Sequence, residues 1–318
     1  MKIAFVFPGQ GSQSVGMMAG FEAHPAIRAT FDEASQVLGQ DLWSLVSSGP
    51  ESELNQTFNT QPVMLTAGVA VWRAWQAAGG SLPVVMAGHS LGEYSALVAS
   101  GALAFADALP LVRFRAQAMQ EAVPAGVGAM AAILGLDTGT VASVCREAAS
   151  GESQVVEPVN FNGPEQIVIA GHKAAVERAI ALATQRGAKR GVLLPVSAPF
   201  HSSLIRPAVE RLAAKLALVP LETPAIPVLH NVDVAERPDP DAIRSALALQ
   251  AASPVRWVET IEAFAARGVG QVVECGPGRV LSGLNKRIVR ELKSFALTDG
   301  SDLDGAKAAL AGSLTSNA

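Results

Sequence analysis

Short apolar runs alternate along the chain with longer segments in which apolar residues recur at helical spacing. Residues 3–7 and 82–87 are such runs, bounded by proline and glycine, and they predict buried strands. Segments 21–38 and 63–78 have the spacing of helices. Alternation of strand and helix is typical of a parallel sheet covered by helices on both faces.

The middle of the chain has a different order of elements. From residue 129 to a last strand at 190–196, the pattern predicts the β-α-β-β-α-β order of a ferredoxin-like unit. After this last strand, the alternation of apolar runs with helical segments resumes. We therefore predict an α/β protein in which residues 1–124 and 197–318 form a discontinuous large domain with a mainly parallel sheet. Residues 125–196 are predicted to form an inserted ferredoxin-like small domain.

Composition raises the question of a membrane, because only 16% of the 318 residues are charged and 49% are hydrophobic. The most apolar charge-free run, 122–136, contains a proline and three glycines. It is shorter than the ~20 apolar residues that a spanning helix needs. The apolar run at 3–7 is too short for a signal peptide. We therefore expect no membrane span and a cytoplasmic protein.

Charge and cysteine content exclude two further classes. The 24 basic and 28 acidic residues give a net charge of −4, which argues against a nucleic-acid partner. The two cysteines, Cys145 and Cys275, form no C-x-x-C pair, so neither a zinc site nor a disulfide framework is predicted.

Residues 88–92 form a G-x-S-x-G pentapeptide between a predicted strand and a predicted helix. A sharp strand-to-helix turn needs small flanking residues, and it leaves the central serine, Ser90, projecting from the edge of the sheet. The N–H of Leu91 lies at the helix start, where unpaired donors favour negative charge. The motif therefore indicates a nucleophilic serine beside a site for an oxyanion.

A nucleophilic serine needs a base, and the chain has five histidines. His201 lies in a loop just before a predicted helix, and His230 follows a short predicted strand. Spacing alone does not choose between these two. The other three lie in less suitable places, since they precede a proline, adjoin the serine or lie in a loop of the small domain (His24, His89 and His172).

An acid that would complete a catalytic triad is missing from the pattern. In hydrolases of this type it falls between serine and histidine in chain order. Asp107 begins a predicted helix, and Asp137 has the place of a helix N-cap, so neither ends a strand of the large domain. A backbone carbonyl could orient the histidine instead.

Together, six motifs resemble those of the malonyl-CoA:acyl carrier protein transacylases. They run in family order and lie at residues 7–13, 88–96, 158–162, 169–172, 199–202 and 276–281. The match spans residue 5 to about residue 290, and F-P-G-Q-G-S-Q and P-F-H-S separate this family from the many esterases that share G-x-S-x-G. The resemblance implies a hydrolase-like large domain and a ferredoxin-like small one.

The resemblance also implies roles for individual residues. Ser90 matches the family's nucleophile and His201 its general base. Gln250 matches the residue whose main-chain carbonyl orients that histidine, which would explain the missing acid. The backbone N–H groups of Gln10 and Leu91 match the oxyanion hole.

Two further matches concern the acyl group. Arg115 matches the arginine that binds the malonyl carboxylate, and a guanidinium offers a planar fork for both oxygens of a carboxylate. Arg113, two positions away on the same predicted helix, faces differently and is not given this role. Phe200 precedes the base, and we predict that its ring narrows the pocket against an α-methyl group.

The implied reaction moves malonyl from malonyl-CoA to the phosphopantetheine thiol of acyl carrier protein through a malonyl-serine. The coenzyme A thioester is a substrate, and no tightly bound cofactor or metal is expected. The family expectation is a monomer. Because acyl carrier proteins are acidic, docking needs a local basic patch, for which the candidates are Lys189, Arg190, Lys286 and Arg287.

Other functions are compatible with parts of the pattern. A thioesterase or serine hydrolase would share Ser90 and His201 but would have no use for Arg115. A malonyl transferase could serve a polyketide pathway instead of fatty acid synthesis. A nucleotide-binding loop at 9–11 is weak because Ser14 replaces the third glycine. An inactive carrier-binding scaffold would not need the reactive residues.

Overall fold

The computed structural model describes residues 2–21, 24–149 and 154–315, with side chains described up to residue 310. Strands of two sheets alternate with helices along the chain. In chain order the strands are β1 Lys2–Phe7, β2 Val85–Gly88, β3 Gly128–Leu134, β4 Val156–Gly163, β5 Gln166–His172, β6 Arg190–Leu193, β7 Val228–Leu229, β8 Val269–Cys275 and β9 Lys293–Leu297.

The helices that precede β3 in the chain are α1 Pro25–Leu38, α2 Leu42–Ser48, α3 Glu51–Leu54, α4 Thr57–Ala77, α5 Gly92–Ala99 and α6 Phe105–Glu121. Those that follow are α7 Thr138–Ala148, α8 Lys173–Gln185, α9 Arg206–Leu216, α10 Pro240–Gln250, α11 Trp257–Ala266, α12 Val280–Ile288 and α13 Gly300–Thr315. Short 3-10 turns lie at Ala19–Phe21 and Ser203–Ile205.

The first sheet has five parallel strands in the order β7-β2-β1-β8-β9. Its central strand is buried on both faces. Phe5 and Phe7 belong to the cluster beneath α4, whereas Ala4 and Val6 belong to a second cluster with α11 and α12. This two-sided burial explains why the strand reads as an uninterrupted apolar run.

The second sheet has four antiparallel strands in the order β4-β5-β3-β6. Helices α7 and α8 cover one face, and Met130 and Val168 on the other face join the main core. The strand order and the two crossing helices are those of a ferredoxin-like unit. The predicted fold class, a mainly parallel α/β sheet with a ferredoxin-like insertion, is confirmed. The exact division into domains at residues 124 and 197 stays a prediction.

Several boundaries differ from the predicted ones for local reasons. The predicted strand 82–87 becomes Val85–Gly88, because Pro83 has no N–H to donate to a ladder. The predicted strand 190–196 ends at Leu193 for the same reason, since Pro195 follows.

Helices also occupy stretches where the pattern did not predict them, among them α2, α3, the first turns of α4 and the C-terminal segment. Helix α4 starts at Thr57 rather than 63, because the polar side chains of its first turns find buried partners that a hydrophobic pattern does not reveal. The C-terminal segment from Gly300 belongs to α13, which buries Leu303, Ala306 and Leu310 against the main core.

Within the part of the chain that the structure describes, no helix is both long and apolar enough to cross a bilayer. Both cysteines are buried and unpaired. Burial raises the pKa of Cys145 to about 12 and holds the pKa of Cys275 well above its ordinary value. Neither thiol therefore has the thiolate character that reactivity needs.

The turn from β2 into α5 is tighter than an ordinary side chain allows. A Cβ on Gly88 would lie 1.9 Å from the carbonyl carbon of Gly92. A Cβ on Gly92 would lie 2.0 Å from the carbonyl oxygen of Phe7. Ser90, at the apex, has a φ of 51°, a left-handed conformation that costs on the order of 1–3 kcal/mol in a non-glycine residue. The two glycines thus permit the strained serine.

We expect Gly88→Ala to lower the free energy of unfolding by about 3 kcal/mol or more, because its methyl group would meet backbone atoms that cannot move aside. Gly283→Ala in α12 is the matched control. Nothing lies within 4 Å of its new methyl group, so this change should raise stability by about 0.5–1 kcal/mol. Denaturant unfolding measures both; equal effects of the two substitutions would contradict the close packing at the turn.

Candidate active site

Ser90 and His201 meet at the C-terminal edge of the parallel sheet. The serine Oγ lies 2.7 Å from His201 Nε2. His201 stands in the loop before α9 with a φ of 67° and is 4% exposed. Its backbone N–H donates to the carbonyl of Ala251, which fixes the loop against the end of α10. Serine and imidazole are therefore in hydrogen-bond contact and largely shielded from water.

The other ring nitrogen of His201 faces backbone carbonyls. Nδ1 lies 3.0 Å from the carbonyl oxygen of Gln250 and 3.1 Å from that of Ser253. Carbonyls only accept, so Nδ1 carries the proton and the Nε2 lone pair faces the serine hydroxyl. The absence of a suitable acid in the sequence is explained, because main-chain carbonyls occupy the place of a triad carboxylate.

His230, the alternative that spacing left open, does not contact the serine. Its Nδ1 bonds Glu93 at 2.7 Å, and its side chain is fully buried. His89 points to Asn162, at 2.8 Å, as expected for a neighbour on a sharp turn. Among the described residues, His201 is the histidine whose ring bonds Ser90.

Burial, and then the nearby Arg115 guanidinium, lower the pKa of His201 to about 3. Both causes disfavour the imidazolium, because a second positive charge in a dry site is costly. The ring is consequently neutral across the physiological pH range and able to accept a proton from the serine.

Arg115 lies on α6 with its side chain 2% exposed. It donates to the side-chain oxygens of Gln61 and Gln250, each at 2.8 Å, and to Ser90 Oγ at 3.1 Å. Burial lowers its pKa, but a guanidinium starts so high that it stays charged. Arg113 instead bonds Gln40 and the carbonyl of Leu38, away from the serine, as the helical spacing predicts.

The backbone N–H groups of Gln10 and Leu91 border the same cavity. Within the described residues, neither group donates to a protein acceptor, and Leu91 stands at the N-cap of α5. Gly9 permits the loop after β1 to lie against the backbone of the serine turn, since a Cβ on Gly9 would lie 2.4 Å from the carbonyl oxygen of His89. These two donors are free for an oxyanion on a substrate.

The reactive residues line a small cavity of about 100 Å³ that opens to a wider cleft of about 550 Å³. Gln10 and Val196 border both spaces. The small cavity also has an apolar side formed by Met119, Met130, Leu194 and Phe200.

Sequence reasoning missed a set of polar residues around this cavity. Gln61 accepts from Arg115 and donates to Thr57 Oγ1 at 3.3 Å, and Thr57 donates to the Gln10 side chain at 2.9 Å. This chain of bonds connects the guanidinium to the loop that carries Gln10. Asn160 also borders the cavity. Gln61 gave no separate signal in the sequence, because Asn59 and Thr60 before it in α4 are polar too.

The basic residues named from the sequence are only partly brought together. Lys189 and Arg287 line one cleft of about 480 Å³ together with Arg290, although they come from distant segments. Arg190 and Lys286 are exposed but do not line it. Leu134, at the rim of this cleft, is four residues along β3 from Met130 in the small cavity, or roughly 13 Å.

A search of the described residues finds no cluster of three or more histidine, cysteine, aspartate or glutamate side chains suited to a metal ion. The arrangement of a strained serine, a neutral histidine and two free N–H groups is typical of enzymes that carry an acyl group on serine.

Comparison with known proteins narrows this class. Residues 4–318 match the model of the acyl transferase domain family. The malonyl CoA-acyl carrier protein transacylase of Salmonella typhimurium is 55% identical over 306 residues, covering 96% of this chain and 98% of that protein. The crystal structure of the acyl-carrier-protein S-malonyltransferase of Burkholderia pseudomallei superposes with a TM-score of 0.94 at 60% identity, covering 96% and 99% of the two chains.

A further solved structure is described as a type II PKS acyl-carrier protein in complex with its malonyl-transacylase. It has a TM-score of 0.94 and 52% identity, and covers 96% of this chain and 99% of that chain. The chain therefore belongs to the acyl transferase domain family, among the malonyl CoA-acyl carrier protein transacylases. The resemblance predicted from the motifs is confirmed.

We expect the His201 imidazole to stay neutral from pH 8 down to about pH 5, because its lowered pKa lies below that range. Arg115→Ala removes a nearby positive charge, so the pKa of His201 should rise and protonation should begin at higher pH. NMR titration of the ring, assigned with a His201→Gln variant, measures both. A midpoint near the ordinary histidine value in the unaltered protein would contradict the burial argument.

Proposed function

We propose that this protein transfers malonyl from malonyl-CoA to the phosphopantetheine thiol of acyl carrier protein through a malonyl ester on Ser90. The observation that carries the proposal is a buried guanidinium, Arg115, in contact with the serine hydroxyl at 3.1 Å. A buried cation beside a nucleophile suits an acyl group that ends in a carboxylate. The family membership supports the same reaction.

In the loading step, His201 Nε2 takes the Ser90 proton while Oγ attacks the thioester carbonyl of malonyl-CoA. The N–H groups of Gln10 and Leu91 stabilise the oxyanion; one such donor is typically worth about 10²–10³ in rate. The C–S bond then breaks, and the imidazolium returns its proton to the departing coenzyme A thiolate. The Gln250 carbonyl holds the ring in the required tautomer throughout.

In the transfer step, the carrier's thiol enters by the same cleft and gives its proton to His201. The thiolate attacks the malonyl-serine carbonyl, and the same two N–H groups stabilise the second oxyanion. When the C–O bond breaks, His201 protonates Ser90 Oγ and restores the free enzyme. The proposed cycle uses only side-chain and backbone groups of this chain, with the coenzyme A thioester as substrate.

Arg115 is proposed to select malonyl over neutral acyl groups. Its two bonds to glutamine oxygens fix the plane of the guanidinium, and Nη2 also donates to Ser90 Oγ. A carboxylate gains a charged partner there, whereas an acetyl group leaves the cation unpaired. Phe200 remains our proposed restriction against an α-methyl group, because its ring borders the same small cavity.

A thioesterase is the nearest alternative, since it would use the same serine and histidine. The apolar wall formed by Met119, Met130 and Leu194, and the cavity of only about 100 Å³, favour transfer because an acyl group fills the space that water would need. A buried Arg115 also has no purpose in general ester hydrolysis. We assign the transfer to type II fatty acid synthesis, with polyketide supply as the alternative. A cytoplasmic location and a monomeric state stay predictions.

For carrier docking we propose the face around Lys189, Arg190, Lys286 and Arg287. Two of these residues line one cleft, and Lys189 is well exposed despite its ion pair with Glu165. An acidic carrier would gain from this local positive charge although the chain is net negative.

Intact-protein mass spectrometry after brief mixing with malonyl-CoA tests the reaction. We expect one malonyl adduct, absent in Ser90→Ala and discharged when pantetheinylated carrier is added. Acetyl-CoA should load about 10²-fold more slowly, because it leaves the guanidinium unpaired. Steady release of coenzyme A without an adduct would establish a hydrolase instead.

The same assay tests whether Arg115 selects malonyl over neutral acyl groups. Arg115→Ala should reduce malonyl loading and leave acetyl loading nearly unchanged. Arg113→Ala is the matched control, since it removes an arginine from the same helix that does not contact the serine. Equal effects of the two substitutions on malonyl loading would overturn the assignment of Arg115.

Carrier docking is tested by reversing charge at Lys286 and Arg287 together. We expect the KM for acyl carrier protein to rise about tenfold, because two attractive charges become repulsive, while malonyl-CoA loading stays the same. Reversal at Lys2 and Arg267 is the control, because neither residue lines that cleft; Lys2 Nζ donates to the Arg267 carbonyl at 2.9 Å. A uniform change in both half-reactions, or an equal effect of the control, would contradict docking at this face.

A further inference from the structure

Glu93, three residues after the serine, is a fully buried carboxylate that no part of the mechanism uses. It bonds three groups on two segments of the chain. His230 Nδ1 lies 2.7 Å from Oε1, and the backbone N–H of Asn231 and the side-chain amide of Gln250 lie 2.9 and 2.8 Å from Oε2. With the His230 proton on Nδ1, each partner acts as a donor and Glu93 accepts all three bonds as a carboxylate.

A buried charge is costly unless it is fully bonded, and an isolated loop-anchoring role would be met more cheaply by a neutral side chain. The position of this charge is therefore informative. Two hydrogen bonds connect the Glu93 carboxylate with Arg115 through the Gln250 side chain. Gln250 Nε2 donates to Glu93, and Gln250 Oε1 accepts from Arg115 at 2.8 Å. One amide thus connects a buried anion with a buried cation.

The two partners of Oε2 both bear on the reacting groups. Asn231 accepts from the Ser90 N–H at 2.8 Å and donates to the Gly88 carbonyl at 2.7 Å, which ties down both sides of the strained turn. The side-chain amide of Gln250 donates to the Ser90 carbonyl at 2.9 Å. The main-chain carbonyl oxygen of the same residue lies 3.0 Å from His201 Nδ1. Glu93 thus bonds Asn231 and Gln250. These two residues in turn bond the backbone of Ser90, the ring of His201 and the guanidinium of Arg115.

We infer that Glu93 is a positioning residue that sets the orientation of His201 and Arg115 together by fixing the Gln250 side chain. The inference rests on the proposed function and adds a specificity role to a residue with no contact to substrate. If the Gln250 side chain is released, its amide no longer holds the guanidinium. The end of α10, whose main-chain carbonyl orients the base, then also loses its bond to the Ser90 carbonyl. Loading of every acyl group then slows, and the preference for malonyl over acetyl falls as well.

Three substitutions separate this role from ordinary stabilisation. Glu93→Ala removes the anchor. Glu93→Gln keeps an oxygen for the two Oε2 donors, and its amide can donate to His230 in the other ring tautomer, so positions are kept without the charge. Glu274→Ala is the matched control: Glu274 is equally buried and accepts from the N–H groups of Leu281 and Ser282 and from the Ser282 hydroxyl, none of which bonds Ser90, His201 or Arg115 among the described residues.

The readouts are malonyl and acetyl loading rates per mole of folded protein, with thermal unfolding measured alongside. Glu93→Ala should slow acetyl loading by about 10²-fold, because the base is misplaced. Malonyl loading should slow by about a further tenfold, so that the ratio of malonyl to acetyl loading rates falls about tenfold. Glu93→Gln should restore most of both. Glu274→Ala should lower the unfolding temperature and leave the ratio unchanged.

If Glu93→Ala does not fold, Glu93→Asp replaces it, because the shorter side chain keeps the charge but draws back from Gln250. The inference then requires a higher malonyl-to-acetyl ratio in the glutamine variant than in the aspartate variant; the reverse order, or equal ratios, overturns it. An unchanged ratio in Glu93→Ala overturns it too. Failure of the unaltered protein to form a malonyl adduct would instead overturn the proposed function, so the two failures are distinguishable.

Discussion

At Ser90 the chain turns from β2 into α5 through a left-handed backbone conformation, and the rest of the site is built around that turn. The turn exists because Gly88 and Gly92 bring strand and helix within backbone contact. Its strain, on the order of 1–3 kcal/mol, persists only where neighbouring groups hold it. Asn231 supplies that restraint by bonding the backbone on both sides of the serine.

Burial has opposite consequences for the two basic groups beside the serine. For His201, low exposure and a nearby cation favour the neutral ring, which is the state a general base needs. For Arg115, the same low exposure leaves a charge that two glutamine oxygens only partly satisfy. A small, dry cavity thereby combines a proton acceptor with a group suited to bind an anion.

Polar residues in the interior form one connected set rather than isolated pairs. From Arg115, bonds run through Gln61 and Thr57 to Gln10, and through Gln250 to Glu93. Such networks stabilise a single arrangement when every member is satisfied. Here the network has the reacting serine and histidine at its centre, so the geometry of the base and that of the arginine are not independent.

By itself, the sequence determined the features that depend on near neighbours. The apolar runs and the helical spacing predicted a parallel and an antiparallel sheet. The G-x-S-x-G motif at 88–92 predicted the sharp turn and its serine, because the steric limits on backbone conformation act between residues that are close in the chain. Spacing left His201 and His230 equally plausible, and only the family resemblance favoured His201. The tertiary structure brings His201, and not His230, into contact with Ser90. Only the tertiary structure decided that a second carbonyl, that of Ser253, faces His201 and that Glu93 bonds Asn231 and Gln250, because those contacts join segments far apart in the chain and depend on how the helices pack.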